Sequence, residues 1–233
     1  AWAFCNRGRA PGDDRFPHAA LVVCPNLTIH ERLQVLRTDR EDSYYQAFDL
    51  VPAPLVPELK KGRVLIGNWH KFAPEGPHVE SGKSYAVVDK GEESADAFAR
   101  RVLGDLYDRA PLMVLNDEAH HAYRPKLLAG NEKLSAEEKA EREEATVWIA
   151  GLDRINRACG IRFVVDLSAT PFYLAGSGAI EGSPFPWLVA DFGLVDAIES
   201  GIVKIPRLPV SDTTGRPEPK FFRLWQAIVA GLQ

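Results

Sequence analysis

Asp117-Glu118-Ala119-His120-His121 directly follow residues 111–116 (PLMVLN), an apolar run with the composition of a buried strand. Two adjacent carboxylates at a strand exit suit phosphoryl chemistry. Successive residues leaving a strand point in different directions, so Asp117 and Glu118 can take separate roles. Asp117 would hold a Mg²⁺ ion through water. Glu118 would act as general base on an attacking water. The tetrapeptide Ser168-Ala169-Thr170-Pro171 follows a second apolar run, Ile161–Leu167 (IRFVVDL). Its two hydroxyls can hydrogen-bond to the acidic group and to His120, which gives a path for coupling chemistry to a bound strand. The plain alternative for the acidic run is a solvated turn. A transition-metal site built on His120 and His121 is the other alternative. Zinc proteases, however, place H-E-x-x-H on a helix, and the order and spacing here differ.

These groups need elements to bring them together. Strand-like runs at Ala19–Cys24 (AALVVC), 63–67 (RVLIG), 85–89 (YAVVD), 111–116 and Ile161–Leu167 alternate with helical patterns. Thr28-x-x-Glu31 has capping-box spacing and opens a short helix through Leu33 and Leu36. Residues 38–62, with Pro52, Pro54 and Pro57, read as loop. Ser94 caps a helix reaching Asp108, with Phe98, Val102 and Leu106 on one stripe. Ser135-x-x-Glu138 is a second capping box. Its helix carries Ala145, Trp148, Ile149, Leu152 and Ile155 inward and stops at Gly160. Leu188, Phe192, Val195 and Ile198 mark a last helix before Gly201. Alternation of this kind predicts an α/β fold, a parallel sheet with helices on both faces. Ligands of such folds bind beyond the carboxyl ends of the strands.

Composition narrows the class. The chain has 233 residues, enough for one large α/β domain, and a net charge of −4, so any nucleic-acid surface must be a local patch. The three cysteines are not spaced as C-x-x-C, which argues against a disulfide framework or zinc ribbon and fits a reducing cytoplasm. No apolar run approaches the ~18 residues that would cross a membrane, and no signal peptide is visible. The single methionine is Met113. With the abrupt opening Ala1-Trp2-Ala3-Phe4-Cys5, this suggests a fragment that begins inside a helix.

D-E-A-H followed by S-A-T-P, each after an apolar strand, resembles motifs II and III of superfamily 2 DEAD/DEAH-box helicases. Residues 23–28 (VCPNLT) with Arg32 and Leu33 resemble motif Ia, and residues 63–72 (RVLIGNWHKF) resemble the next strand and its Asn-bearing turn. The doubled histidine and residues 201–206 (GIVKIP) are similar to the helicase subunit of type III restriction enzymes. The resemblance covers about residues 19–210. It implies a RecA-like fold of the P-loop NTPase type, with ATP and Mg²⁺ as cofactors. The implied function is an ATP-dependent helicase or translocase acting on DNA rather than RNA. Asp117 and Glu118 would serve hydrolysis, and His120, Ser168 and Thr170 would couple it. Asn26, Thr28, Arg32, Asn68 and Trp69 would line the strand-binding surface, with His30, His70 and Lys71 nearby. Trp69 could equally be core.

The same resemblance implies a first RecA-like domain over 1–210, truncated at its amino end, with an insertion at about 124–160. A linker and the start of a second domain would follow over 211–233, with residues 221–232 as its leading edge. Its partners would be that second domain and restriction-modification subunits. The phosphate-binding loop G-x-x-x-x-G-K-[ST] is not in the chain. Gly82-Lys83-Ser84 imitates its end, but Pro77 stands where the first glycine belongs and a strand pattern follows where a helix is needed. The non-enzymatic alternative is a nucleic-acid-binding or docking module.

Overall fold

The computed structural model describes residues 1–73, 93–126 and 134–204. The chain divides into two compact units, Ala1–Pro186 and Trp187–Gln233. In the first unit the strands β1 (Ala19–Cys24), β2 (Arg63–Asn68), β3 (Leu112–Asp117) and β4 (Ile161–Leu167) form one sheet in the order β2-β1-β3-β4. Every pairing is parallel. The four carboxyl ends therefore share one rim. The chain is α/β, and its parallel sheet with helices is the arrangement expected of a RecA-like domain.

Both faces of β1 are covered. Ala19, Leu21 and Val23 join Leu112 and Val114 of β3 in a core closed by α5 (Ala95–Leu103) and α6 (Ala136–Ala158), through Phe98, Val102, Trp148, Leu152 and Ile155. Ala20 meets Phe4 and Cys5 of α1 (Trp2–Arg9) and Leu59 of α4 (Val56–Lys61). Val22 and Cys24 meet Ile29 and Leu33 of α2 (Leu27–Leu33). All six β1 residues are buried, which explains why its sequence is continuously apolar rather than alternating.

The sheet's other side ends differently. Phe163, Val164, Val165 and Leu167 of β4 are exposed, Leu167 by 50%. Met113 and Leu115 on the neighbouring strand are only partly buried.

Local sequence explains the helix ends. The Ser135 hydroxyl accepts from the Glu138 amide, and the Glu138 carboxylate accepts from the Ser135 amide, so the predicted capping box is present in full. Gly160, at φ +91°, turns the chain from α6 into β4. Ser94 caps α5 as read. The α-helix ends sooner than the stripe suggests: Gly104 stands at φ +52° and a 3₁₀ stretch, Gly104–Arg109, carries Leu106 inward. Gly151 lets α6 approach Phe72, whose ring occupies the place a Cβ would take.

Three further expectations change. Asn26, not Thr28, caps α2, because its Oδ1 accepts from the Ile29 amide at 2.9 Å. Residues 38–62 are not plain loop. They hold α3 (Tyr44–Ala47), a 3₁₀ turn Ala53–Leu55 and α4, with Pro54 and Pro57 in first turns, where proline's missing N–H costs nothing. In the second unit α7 (Leu194–Glu199) is shorter than its pattern, leaving Leu188 and Phe192 outside it. The Asp196 carboxylate accepts from the Gly193 amide at its start.

Within the span about 124–160 read as an insertion, α6 is a core helix of the sheet. The strand pattern at 85–89, the Gly82-Lys83-Ser84 sequence, the domain boundary at 210 and the stretch 221–232 lie outside the described residues. No helix among the described residues is long and apolar enough to cross a membrane.

Candidate active site at the carboxyl rim

β3 delivers Asp117 to the rim, and the chain then turns sharply. Glu118 sits in the left-handed region at φ 51°, ψ 47°, unusual for a residue with a Cβ. The 3₁₀ turn Ala119–His121 follows, with Ala119 and Ala122 buried as its anchors. Strain of this kind persists only where surrounding contacts hold it, and it clusters at functional sites. Here the contacts run through His120. Its Nδ1 lies 2.9 Å from Ser168 Oγ and 3.4 Å from Glu118 Oε2. Ser168 Oγ also accepts from the Thr170 amide at 2.9 Å, which fixes the turn leaving β4. The acidic and hydroxyl motifs are thus one cluster, joined by a direct imidazole–hydroxyl contact.

Further bonds hold the two exits side by side. The Lys126 amide donates to Ser177 O at 3.0 Å, and Arg142 of α6 donates to Gly176 O and Lys126 O. Tyr173 and Phe185, in the loop after Thr170, pack with Tyr123 and Ala145. His121 faces the other way. Its ring lies 4.2 Å from the His120 ring, and its Nδ1 is 3.9 Å from Glu144 Oε2.

At the rim the perturbed carboxylate is Asp117. Burial, and then the neighbouring Glu118 charge, raise the Asp117 pKa above its usual 3.8, and a hydrogen bond from the Glu118 backbone only partly offsets this. Asp117 forms no ion pair with any described residue. Its charge reaches Cys24 at the end of β1, where burial first and Asp117 second push the thiol up to about 11. A desolvated carboxylate without a cation, beside a second one, is a donor set that suits Mg²⁺ held with water and phosphate oxygens completing its shell. Among the described residues no group of three or more His, Cys, Asp or Glu side chains is arranged to hold a metal ion by itself.

The residues read as a strand-binding surface lie on the same rim, at the exits of β1 and β2, but their side chains divide. Asn26 and Asn68 are occupied with structure. Asn26 caps α2, while Asn68 donates to Pro25 O at 2.9 Å and accepts from the His70 amide at 2.8 Å, tying the two exits together. Trp69 packs partly on the core and stacks on His70 at 3.8 Å. His30 of α2 lies against β2, its Nε2 3.2 Å from Ile66 O. Thr28 and Arg32 are exposed, with no side-chain bond to a described residue. Thr170 is exposed too, and it meets Ser168 through its amide while its hydroxyl stays clear of His120.

Two participants escaped the sequence reading. Asn116 and Asp166, each inside an apolar strand, are bonded to each other beneath the rim. A polar residue interrupting a buried strand pattern was the available signal.

Comparison with protein-family models, curated proteins and solved structures finds no match.

Proposed function

We propose that this chain is the catalytic rim of an ATP-dependent nucleic-acid motor, a helicase or translocase of superfamily 2 type acting on DNA. One observation carries the reading: two adjacent carboxylates at a strand exit are joined through His120 to the hydroxyl motif of the next strand. In that mechanism Asp117 holds the Mg²⁺ of Mg·ATP through water. Glu118, on its left-handed turn beside His120, takes the proton of the water that attacks the terminal phosphate. His120 and Ser168 sense the change at Glu118 and pass it to the loop after β4. Thr170 contributes through the same turn. Thr28 and Arg32 contact the phosphate backbone of the DNA, and Asn26, Asn68 and Trp69 shape that surface.

The phosphate-binding loop is not among the 233 residues. The proposal therefore assigns it to polypeptide joined or docked to this chain, along with a second RecA-like domain. The exposed apolar residues of β4, next to the acidic cluster, support that assignment. A parallel sheet normally has both faces covered, and a strand-and-helix unit laid along β4 would bring its loop to the same rim. A cytoplasmic restriction-type system, with modification subunits as partners, is the setting this reading favours. The free thiols Cys5, Cys24 and Cys159 suit a reducing compartment.

The test is phosphate release with Mg²⁺, ATP and DNA. The chain by itself should release none above background. The same chain within a protein carrying the loop should turn over, and Asp117→Ala should weaken Mg·ATP binding there. Motor-like turnover by the isolated chain would contradict the proposal and place the phosphate cradle inside these residues.

A further inference from the structure

Below the rim lies a hydrogen-bonded side-chain layer that the apolar pattern of the strands does not call for. Asn116 is 1% exposed. Its Nδ2 donates to Asp166 Oδ1 at 2.8 Å, across the β3–β4 pair, and its Oδ1 accepts from the indole Nε1 of Trp148 in α6 at 3.0 Å. A carboxamide does both, with its donor and acceptor on separate atoms. A carboxylate would face Asp166 with like charge, and leucine, similar in size, would leave the buried Trp148 indole N–H and the partly buried Asp166 carboxylate without this partner.

The position matters as much as the chemistry. Asn116 pairs in register with Asp166, and Asp117 with Leu167. The bonded pair thus stands two residues before Glu118 on one strand and two before Ser168 on the next. Register between these strands shifts at Leu112/Met113. The amino ends of β3 and β4 therefore do not by themselves set the alignment of their carboxyl ends. From Met113↔Phe163 to Asp117↔Leu167 the backbone ladder runs in one register, and the Asn116–Asp166 side-chain bond clamps it one pair before the strands end.

We infer that Asn116, acting through Asp166, is the positioning residue of the rim: it holds the two strand exits in the alignment that lets His120 reach Ser168. Its importance to turnover rests on the function proposed above, while the geometric claim can be tested without nucleotide.

The experiment is nitrogen NMR of the His120 imidazole in the purified chain. Ser168→Ala marks the signal of the broken contact. Asp166 is only partly buried, so Asp166→Ala should fold. It removes the acceptor, and the His120 signal should move most of the way to the Ser168→Ala position. Asp166→Asn keeps an acceptor oxygen while removing the charge, and should leave the signal at its wild-type position. Trp148→Phe loses the indole bond alone and should leave it there too, although it lowers the melting temperature. Asn116→Asp combined with Asp166→Asn exchanges amide and carboxylate and should restore the wild-type signal. An unmoved His120 signal in Asp166→Ala would overturn the inference. So would a Trp148→Phe shift as large as that of Asp166→Ala, because general core packing would then set the rim. Either result would leave the ATPase proposal standing, and an inactive motor would leave this inference standing.

Discussion

β1 and β4 are both parallel strands rich in apolar residues, and they live in opposite surroundings. AALVVC is buried along its whole length, while most of IRFVVDL is exposed. Both runs carry the information of a covered parallel strand, and in the described residues only β1 is covered. Burial of apolar surface is worth about 25 cal/mol per Å², so β1 contributes to holding the fold and β4 contributes little until something lies against it. The chemistry follows the same division. The rim at β1 and β2 is braced by amide caps and core packing, whereas the reactive cluster stands between β3 and the open strand.

The contrast can be broken by substitution. Leu21→Ala should show the largest effect, a loss of about 2–5 kcal/mol on urea denaturation, because its space is enclosed on all sides. Gly151→Ala comes next. Its new methyl would press on Phe72, and overpacking of this kind costs about 1–3 kcal/mol.

Asp117→Asn should have the opposite sign. The folded-state pKa of Asp117 is raised above 3.8, so the folded chain holds this proton longer than the unfolded chain. Wild-type stability therefore falls as pH rises from below 3.8 through the raised value, and stays lower above it. Replacing the carboxylate should stabilise the chain at pH 7. The gain should vanish below pH 3.8, where both side chains are neutral. A gain unchanged across that range would mean that charge is not its source.

Val165→Thr should be smallest, within about 0.5 kcal/mol, since the side chain is already partly in water. A loss there as large as at Leu21 would erase the distinction between the two strands.

Much of this was legible in the sequence. Apolar runs ending in D-E-A-H and S-A-T-P mark β3 and β4, and Ser135 with Glu138 marks the start of α6, because strand composition and capping are local signals. Other features were not legible, for reasons of the same kind. Asn26 and Thr28 are both plausible caps, and only the backbone path decides between them. Prolines bar helix interiors, but Pro52 caps the 3₁₀ turn and Pro54 and Pro57 fit first turns, so a proline-rich stretch hid that turn and α4. Whether a strand is covered depends on what packs beside it, which its own residues do not state. The Asn116–Asp166 bond joins positions 50 apart, a pairing that no single-strand pattern contains. The left-handed turn at Glu118 likewise had no glycine to announce it.

The central claim is that Glu118 is the base at an ATP-hydrolysing rim. Its most direct test is Glu118→Gln in a protein that carries the phosphate-binding loop, with ATP affinity and phosphate release measured side by side in the presence of Mg²⁺ and DNA. Glutamine keeps the size and a polar oxygen but cannot accept the proton from water. Hydrolysis should fall by about 10²–10⁴ while ATP still binds with near wild-type affinity. Hydrolysis at the wild-type rate would contradict the assignment of the base and, with it, the chemical reading of the rim.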